Sequence, residues 1–189
     1  MLTLNEINSF RANARYTRYQ CIKLTPPKFM KPSPSCLRLM KSYEQLRTRP
    51  YDDQTGRTVV NYCLGATIGY GHLIKDSNEF EKYRQGINES TADSLFESDL
   101  YKYIHGVRTD VLVDLTQSEF DALVIMAFNI GKNAFKHSTV LEIINGRNTK
   151  NLRDAWNQFR YSQGKVMKGL INRRACEMNV FFDGVYKKI

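Results

Sequence analysis

Apolar side chains recur every three or four residues along much of the chain, which is the spacing of amphipathic helices. The first stripe consists of Leu37, Met40, Tyr43 and Leu46. Ser33 precedes it as an N-cap, Pro34 suits its first turn, and Arg49-Pro50 follows it. This pattern predicts a helix that begins at Pro34, carries Glu44 toward its end and stops at Arg49-Pro50.

Later stripes carry their own end signals. Ser90-Thr-Ala-Asp93 and Thr116-Gln-Ser-Glu119 have the spacing of capping boxes, and Gly131 suits the C′ position of the second helix. Further helices are predicted between Ser138 and Gly146, from Thr149 through Phe159, and from Lys168 to Phe182.

Between Asp52 and Leu73 the pattern changes to that of short strands. Residues 58–60 and 66–68 are the strand candidates, and glycines separate them. We therefore expect an α+β fold in which one helix is followed by a small β-sheet lobe and a larger all-helical lobe.

The chain has 189 residues, 42% hydrophobic and 25% charged, which suits one domain or one domain split into two lobes. Its longest apolar run, residues 122–128, is too short to span a bilayer, so we expect no stable membrane insertion. Residues 1–32 are basic and end in a proline-rich run, which predicts an N-terminal arm or linker before a folded domain at 33–189. They lack the features of a secretory signal, so we expect a cytoplasmic product that needs another route to any periplasmic target.

The formal net charge of +9 favours polyanionic surroundings such as nucleic acid, acidic lipid or anionic cell-wall polymers. We do not expect nucleic-acid binding, because no predicted helix carries a concentrated stripe of lysine and arginine. The four cysteines are scattered and no histidine stands at metal-ligand spacing. We therefore expect no metal, no cofactor and no disulfide framework.

Two carboxylates stand in unlike settings. Glu44 lies beside apolar Tyr43, where an apolar environment would favour a protonated acid, whereas Asp53 lies in a polar, glycine-flanked loop. Such a pair is what hydrolysis of a glycosidic bond needs. Asp52 competes with Asp53 for the second role. Thr67, on a predicted strand, could hold a water by donating and accepting hydrogen bonds.

The motifs that contain these residues resemble the phage-type lysozymes, glycoside hydrolase family 24. The resemblance covers about residues 36–182 in four ordered motifs. These are Glu44-x8-Asp53 with Thr67-Ile-Gly-Tyr-Gly-His72, Thr91-Ala-Asp-Ser-Leu-Phe-Glu-Ser-Asp99, residues 117–131, and Ser138-Thr139 with residues 164–177. It implies a lysozyme-like fold, in which a long helix joins the two lobes and the active-site cleft lies between them.

The resemblance also implies roles for individual residues. It makes Glu44 the general acid, Asp53 the carboxylate on the water side and Thr67 the third catalytic residue of an inverting muramidase. Such enzymes hold their carboxyl groups about 6.5–9.5 Å apart to leave room for water. His72 and Asp99 match positions of a structural ion pair. The residues predicted to bind substrate are Tyr70, Asn129, Ser138 and Arg174. Arg173 and Arg174 could both line the cleft against substrate carboxylates, or they could form a surface pair on the C-terminal helix.

The chain departs from the compact phage enzymes in two places. The segment between Gly56 and Thr67 is several residues longer, and residues 1–32 have no counterpart. The run Gly65-Ala-Thr-Ile-Gly-Tyr-Gly-His-Leu-Ile74 is similar to lysozyme modules of bacterial antagonism (type VI secretion) effectors.

The predicted substrate is bacterial peptidoglycan, cleaved between N-acetylmuramic acid and N-acetylglucosamine. We expect a monomer, with an immunity protein or delivery partner as a further possibility. Two alternatives stay open at this point. A wall-binding module would keep the fold without catalysis, and a lytic transglycosylase would need only one acid and would release anhydro products.

Overall fold

The computed structural model describes residues 23–189, which fold into two compact units. The sheet unit comprises residues 38–101, and the helical unit comprises residues 23–37 and 102–189 of the described chain. The predicted α+β class is confirmed, because helices predominate and the sheet is small and antiparallel.

The helices and strands run in the following order. They are α1 (Pro34–Tyr43), β1 (Arg47–Asp52), β2 (Ala66–Gly69), β3 (His72–Leu73), α2 (Ser77–Tyr83), α3 (Glu89–Asp110), α4 (Gln117–Ile130), α5 (Lys132–Lys136), α6 (Thr139–Ile144), α7 (Leu152–Asn157), β4 (Tyr161–Ser162), β5 (Lys165–Val166) and α8 (Lys168–Asp183). The long helix α3 contributes residues to both units.

Helix α4 forms the centre of the helical unit. All nine residues from position 119 to position 127 are buried, and the helix packs against α8. Its start is the predicted capping box: the Thr116 hydroxyl accepts from the amide of Glu119, whose carboxylate accepts from the amide of Thr116. Its end is Gly131 at a φ of 90°, a conformation that glycine adopts without strain.

Asp121 on α4 organises three segments of the helical unit. Its Oδ1 accepts from the Ser33 amide at 3.0 Å and from Gln117 at 2.9 Å, while Oδ2 accepts from the Ser33 and Tyr186 hydroxyls at 2.6 Å each. The Ser33 hydroxyl in turn accepts from the amide of Cys36, which caps α1 as predicted. This fully buried carboxylate therefore ties the start of α1 and the C-terminal tail to the central helix.

The predicted end of the first helix was wrong. Helix α1 ends at Tyr43, and the residues read as its last turn, including Arg49 and Pro50, belong to β1. Pro50 is tolerated there because the pairing of β1 with β2 is irregular between Arg47 and Tyr51, and a residue without an amide hydrogen fits such a bulge. Glu44 consequently lies in the bend between α1 and β1.

The sheet of the sheet unit has the order β1-β2-β3, with both pairs antiparallel. Its buried face packs Ala66 and Ile68 of β2 against Ile74 and Phe80. The first of the two predicted strands is also revised, whereas the second, residues 66–68, is confirmed as part of β2. Residues 58–60 do not form a strand; Thr58 makes a single bridge to Tyr51 where the chain folds back onto β1.

Other boundaries moved because a different residue caps the helix. Asn88 accepts from the amide of Thr91, so α3 starts at Glu89 and the predicted box at Ser90 does not form. Asn151 caps α7, two residues after the predicted start at Thr149. The short helices α2 and α5 and the β4–β5 hairpin were not predicted, while α8 closely matches its predicted range.

The end of the predicted N-terminal arm contacts the helical unit. Thr25 pairs with Leu115 through two backbone hydrogen bonds, and Arg108 donates twice to the carbonyl of Met30. The remainder of that arm, residues 1–22, lies outside the described residues, as does Cys21. Within residues 23–189, no helix combines the length and apolarity needed to cross a bilayer.

We expect Asp121→Asn to destabilise the protein by roughly 3 kcal/mol, because the amide nitrogen cannot accept and leaves buried donors without partners. The measurement is the free energy of unfolding in urea. The control is Glu97→Gln, which likewise replaces a carboxylate by an amide but at an exposed position of α3. Equal unfolding free energies for the two variants would contradict the role of Asp121 as the hydrogen-bonded centre of the helical unit.

Candidate active site

Glu44 is half-buried in the bend after α1, where its amide donates to the carbonyl of Lys41 at 3.1 Å. The β2–β3 turn approaches its carboxylate: a Cβ added to Gly71 would lie 3.9 Å from Glu44 Oε2. Gly71 has a φ of +90°, which only glycine adopts readily. The turn can therefore come close to the acid because it has no side chain at this position.

A charged cluster connects α1 to the same turn. Lys41 Nζ lies 2.5 Å from Asp93 Oδ1 and 5.2 Å from the centre of the Tyr70 ring, which packs edge-on against Phe96. Tyr70, which was predicted to bind substrate, lies in the turn beside Gly71 and is half-buried. The cluster thus joins the end of α1, which directly precedes Glu44, to the turn that approaches Glu44.

Asp53 follows β1 directly and continues its pairing with β2. Its amide donates to the carbonyl of Gly65 at 3.2 Å, and its side chain is exposed. The competing residue, Asp52, is occupied locally: its carboxylate accepts from the Gln54 amide at 2.9 Å and the Thr55 hydroxyl at 3.0 Å. These hydrogen bonds lower the pKa of Asp52. Asp52 therefore shapes the turn, and Asp53 remains the better candidate for chemistry.

Thr67 is buried in β2, and its Oγ1 donates to the carbonyl of Gly65 at 2.9 Å. A carbonyl oxygen can only accept, so the single hydroxyl hydrogen is committed. The expectation that Thr67 both donates to and accepts from a water is therefore corrected. In this conformation its hydroxyl can offer only an acceptor to a further partner.

Tyr51 is not among the site residues predicted from the sequence. It lies directly opposite Thr67 in the β1–β2 pairing, and directly opposed residues project from the same face of a sheet. Burial raises the pKa of the Tyr51 phenol, as do the charges of Asp53 and Glu44, while Arg47 opposes them. The guanidinium of Arg47 lies 4.7 Å from the centre of the Tyr51 ring. Recognition of β1 as a strand would have found Tyr51, because its pairing with β2 sets Tyr51 opposite Thr67.

The sheet unit therefore gathers a half-buried acid, an exposed acid and two hydroxyl groups around one short pairing of strands. All of these residues come from positions 44–67. This set can supply a proton at Glu44, accept one at Asp53 and bind a polar group between the hydroxyls.

His72 and Asp99, the predicted ion pair, are in contact within the sheet unit. His72 Nδ1 lies 2.9 Å from Asp99 Oδ2, and Nε2 lies 3.4 Å from Glu79 Oε1. The hydrogen bond to Asp99 raises the pKa of His72, with further increases from the charges of Asp99 and Glu79, and burial opposes the rise. Both ring nitrogens are engaged, so the geometry favours an architectural role for His72.

Two residues predicted to bind substrate, Asn129 and Arg174, contact each other in the helical unit. Arg174 is fully buried; its Nη2 donates to Asn129 Oδ1 at 2.5 Å and lies 2.7 Å from Glu177 Oε1. Glu177 also accepts from the Trp156 indole at 2.8 Å. This network pairs a buried charge and holds α4, α7 and α8 together, which favours a structural role for Asn129 and Arg174.

Ser138 is buried and caps α6. Its hydroxyl donates to the carbonyl of Phe135 at 2.7 Å and accepts from the amide of Leu141 at 3.1 Å. The residue borders a cavity of about 430 Å³ that is also lined by Lys150 and Asp154. The hydrogen bond to Phe135 accounts for the hydroxyl hydrogen of Ser138, so any contact with substrate would use the oxygen as an acceptor.

A model of the phage lysozyme family matches residues 41–177, which is most of the chain and includes Glu44, Asp53 and Thr67. The chain belongs to the phage lysozyme family. Membership accounts for the ordered motifs of the sequence, from the bend at Glu44 to helix α8.

Individual members of the phage lysozyme family are similar in sequence and structure. The chain is 37% identical to an endolysin of Bacillus phage B103 over 153 residues, which cover 81% of this chain and 54% of that relative. It thus spans about half the length of this relative. The endolysin from Escherichia coli O157:H7 phage FAHEc1 has a TM-score of 0.69 and 31% identity, covering 85% of this chain and 98% of its own.

A third similar protein comes from a bacterium. The muramidase domain of SpmX from Asticaccaulis excentricus has a TM-score of 0.62 and 34% identity, covering 80% of this chain and 97% of its own. These structural likenesses confirm the predicted lysozyme-like fold of the phage lysozyme family. One of the two similar structures comes from a phage and the other from a bacterium.

The described residues contain no cluster of three or more histidine, cysteine or acidic side chains that could hold a metal ion. Cys36 and Cys176 are buried thiols and Cys63 is a half-buried one. Burial is the first cause that raises the pKa of Cys36, followed by the charge of Asp121. This thiol therefore behaves as a small core residue of the phage lysozyme fold.

The His72–Asp99 contact predicts a pH-dependent contribution to stability. Because the folded pKa of His72 is raised, its contribution is complete below the unfolded pKa of about 6.5 and is lost as pH rises through the folded pKa. We expect Asp99→Asn to cost more unfolding free energy at pH 5.5 than at pH 9. Urea denaturation at both values tests this, with Glu97→Gln as control; a cost that is constant or larger at pH 9 would contradict it.

Proposed function

We propose that this chain is a glycoside hydrolase, a muramidase that cleaves the β-1,4 bond between N-acetylmuramic acid and N-acetylglucosamine in peptidoglycan. The observation that carries the proposal is the β1–β2 pairing, which sets Thr67 opposite Tyr51 and joins the Asp53 backbone to Gly65. Membership in the phage lysozyme family and likeness to endolysins and a muramidase domain support the substrate class.

In this proposal Glu44 is the general acid that protonates the leaving oxygen. Its position between the end of α1 and the glycine turn supports this role, since the carboxyl is half-buried and the turn approaches it closely. Transfer of a proton to the leaving oxygen as the glycosidic bond breaks is the task of a general acid.

Asp53 is the base of the proposed reaction. Its exposed side chain accepts a proton from a water that attacks the anomeric carbon, while the glycosidic bond breaks and Glu44 gives its proton to the departing oxygen. Thr67 orients that water as an acceptor. Attack by water from the side opposite the leaving group inverts the anomeric configuration, so we propose an inverting mechanism.

The charge of the chain suits the proposed substrate and its location. A net charge of +9 favours binding to an anionic cell wall, and the affinity of that binding falls as the salt concentration rises. We propose that the enzyme acts as a monomer on the wall in the periplasm of a host or target cell. An immunity protein or a delivery partner would be consistent with the likeness to effector modules.

The general-acid role predicts a large loss of activity in Glu44→Gln. We expect the rate of release of soluble fragments from purified peptidoglycan to fall by roughly 100-fold to 10,000-fold, the usual worth of a general acid. Mass spectrometry of the fragments should show reducing-end muropeptides from the unmodified chain. Glu97→Gln, which also neutralises a carboxylate, is the control and should keep full activity.

Other products would separate the alternatives. Anhydro ends released by the unmodified chain would assign a lytic transglycosylase. Binding to peptidoglycan without any soluble fragment would assign a wall-binding module. Equal activity in Glu44→Gln and Glu97→Gln would refute Glu44 as the acid whatever the product.

A further inference from the structure

Thr67 and Asp53 do not supply all the hydrogen-bond partners that the attacking water needs in the proposed site. Thr67 has committed its only hydroxyl hydrogen to the carbonyl of Gly65 and can only accept. Asp53, acting as a base, is a carboxylate and also only accepts. A water bound by these two groups therefore donates both of its hydrogens. One of its two lone pairs attacks the sugar, and the other lacks a donor.

Tyr51 is positioned to be that donor. The ladder pairs Tyr51 with Thr67 and Asp52 with Ala66, and the hydrogen bond from Asp53 to Gly65 continues the same register by one residue. Directly opposed residues project from one face, so Tyr51 lies on the face that carries Thr67, and Asp53 begins the turn two residues further on. The charges of Asp53 and Glu44 both raise the pKa of the Tyr51 phenol, which is the direction expected for nearby carboxylates.

We propose that Tyr51 is a further positioning residue of the site, and that its phenol donates a hydrogen bond to the water that Asp53 activates. This inference rests on the proposed muramidase function. With Tyr51 included, the water has a partner for each hydrogen and for the lone pair that does not attack. Its attacking lone pair is thereby fixed in direction, which is how orientation contributes to rate.

Protons and electrons balance without any change at Tyr51. The water oxygen bonds to the anomeric carbon, its proton passes to Asp53, the glycosidic bond breaks, and the proton of Glu44 passes to the leaving oxygen. The phenol and the Thr67 hydroxyl hold their hydrogens throughout. Because the pKa of Tyr51 is raised, the phenol stays protonated and remains a donor over the neutral range.

Arg47 supports the ring of Tyr51. Its guanidinium lies 4.7 Å from the ring centre, and Nη2 donates to the carbonyl of Gly56 at 2.7 Å. The cation is thereby anchored to the turn that follows Asp53, and it covers the ring at one end of β1. This contact limits the positions open to the phenol and links it to the loop that carries the base.

The test is Tyr51→Phe, which removes one oxygen and keeps the ring that Arg47 contacts. We expect kcat on soluble glycan-strand fragments to fall about tenfold, the worth of one hydrogen bond made in the transition state, with KM little changed. Tyr62→Phe is the matched control, because its hydroxyl donates to the Lys75 carbonyl elsewhere in the same unit. Thermal unfolding of both variants shows whether the fold is intact.

A double-variant cycle read in both kcat and unfolding free energy separates a shared water from a packing contact, because only a shared water couples the two substitutions in kcat without coupling them in stability. If Tyr51 and Thr67 hold one water, Tyr51→Phe combined with Thr67→Val should lose less rate than the product of the two single losses. Unchanged kcat in Tyr51→Phe, or strictly multiplicative losses in the double variant, would overturn the inference. Absence of reducing-end muropeptides from the digest by the unmodified chain would instead overturn the proposed function, so the two failures are distinguishable.

Discussion

The pairing of β1 with β2 in a single register is the constraint on which the site depends. It sets Tyr51 opposite Thr67 and carries Asp53 to Gly65. A slip of one residue would turn every side chain of β1 to the other face and separate these groups. The bulge at residues 48–50, which includes Pro50, absorbs the extra length between Arg47 and Tyr51. The pairing is therefore regular again at Tyr51 and Asp52, directly before Asp53.

Some polar side chains of the predicted site are used by hydrogen bonds within the fold, whereas others keep atoms that can still bind substrate or water. Asp52 is used by its own turn, Ser138 by a helix cap, and Arg174 by a buried network with Glu177. Thr67 has given its hydrogen to the backbone but keeps an acceptor. Asp53, whose amide donates to the carbonyl of Gly65, keeps an exposed carboxylate. Function is therefore inferred from the hydrogen-bonding capacity that remains after the fold has been satisfied.

Signals within a few residues of each other correctly predicted several helix caps and the last helix. The Thr116 capping box, the Ser33 cap and helix α8 follow from hydrogen bonds and periodicity within a few residues. The end of α1 was not predicted correctly. The apolar pattern of residues 47–52 does not distinguish a helix from a strand, and these residues become a strand through pairing with β2. Tyr51 was missed for the same reason. The burial of Arg174 likewise depends on Asn129, 45 positions away, which no local pattern reveals.

The central claim is that a water held on the Asp53 side attacks the sugar directly while Glu44 protonates the leaving oxygen. Proton NMR of a soluble glycan fragment during the first minutes of cleavage tests it, because the new reducing end has not yet equilibrated between anomers. Direct attack on a β-linkage predicts that the α-anomer of the muramic acid end appears first. Initial release of the β-anomer would contradict the account, since it would require a covalent intermediate instead of a positioned water.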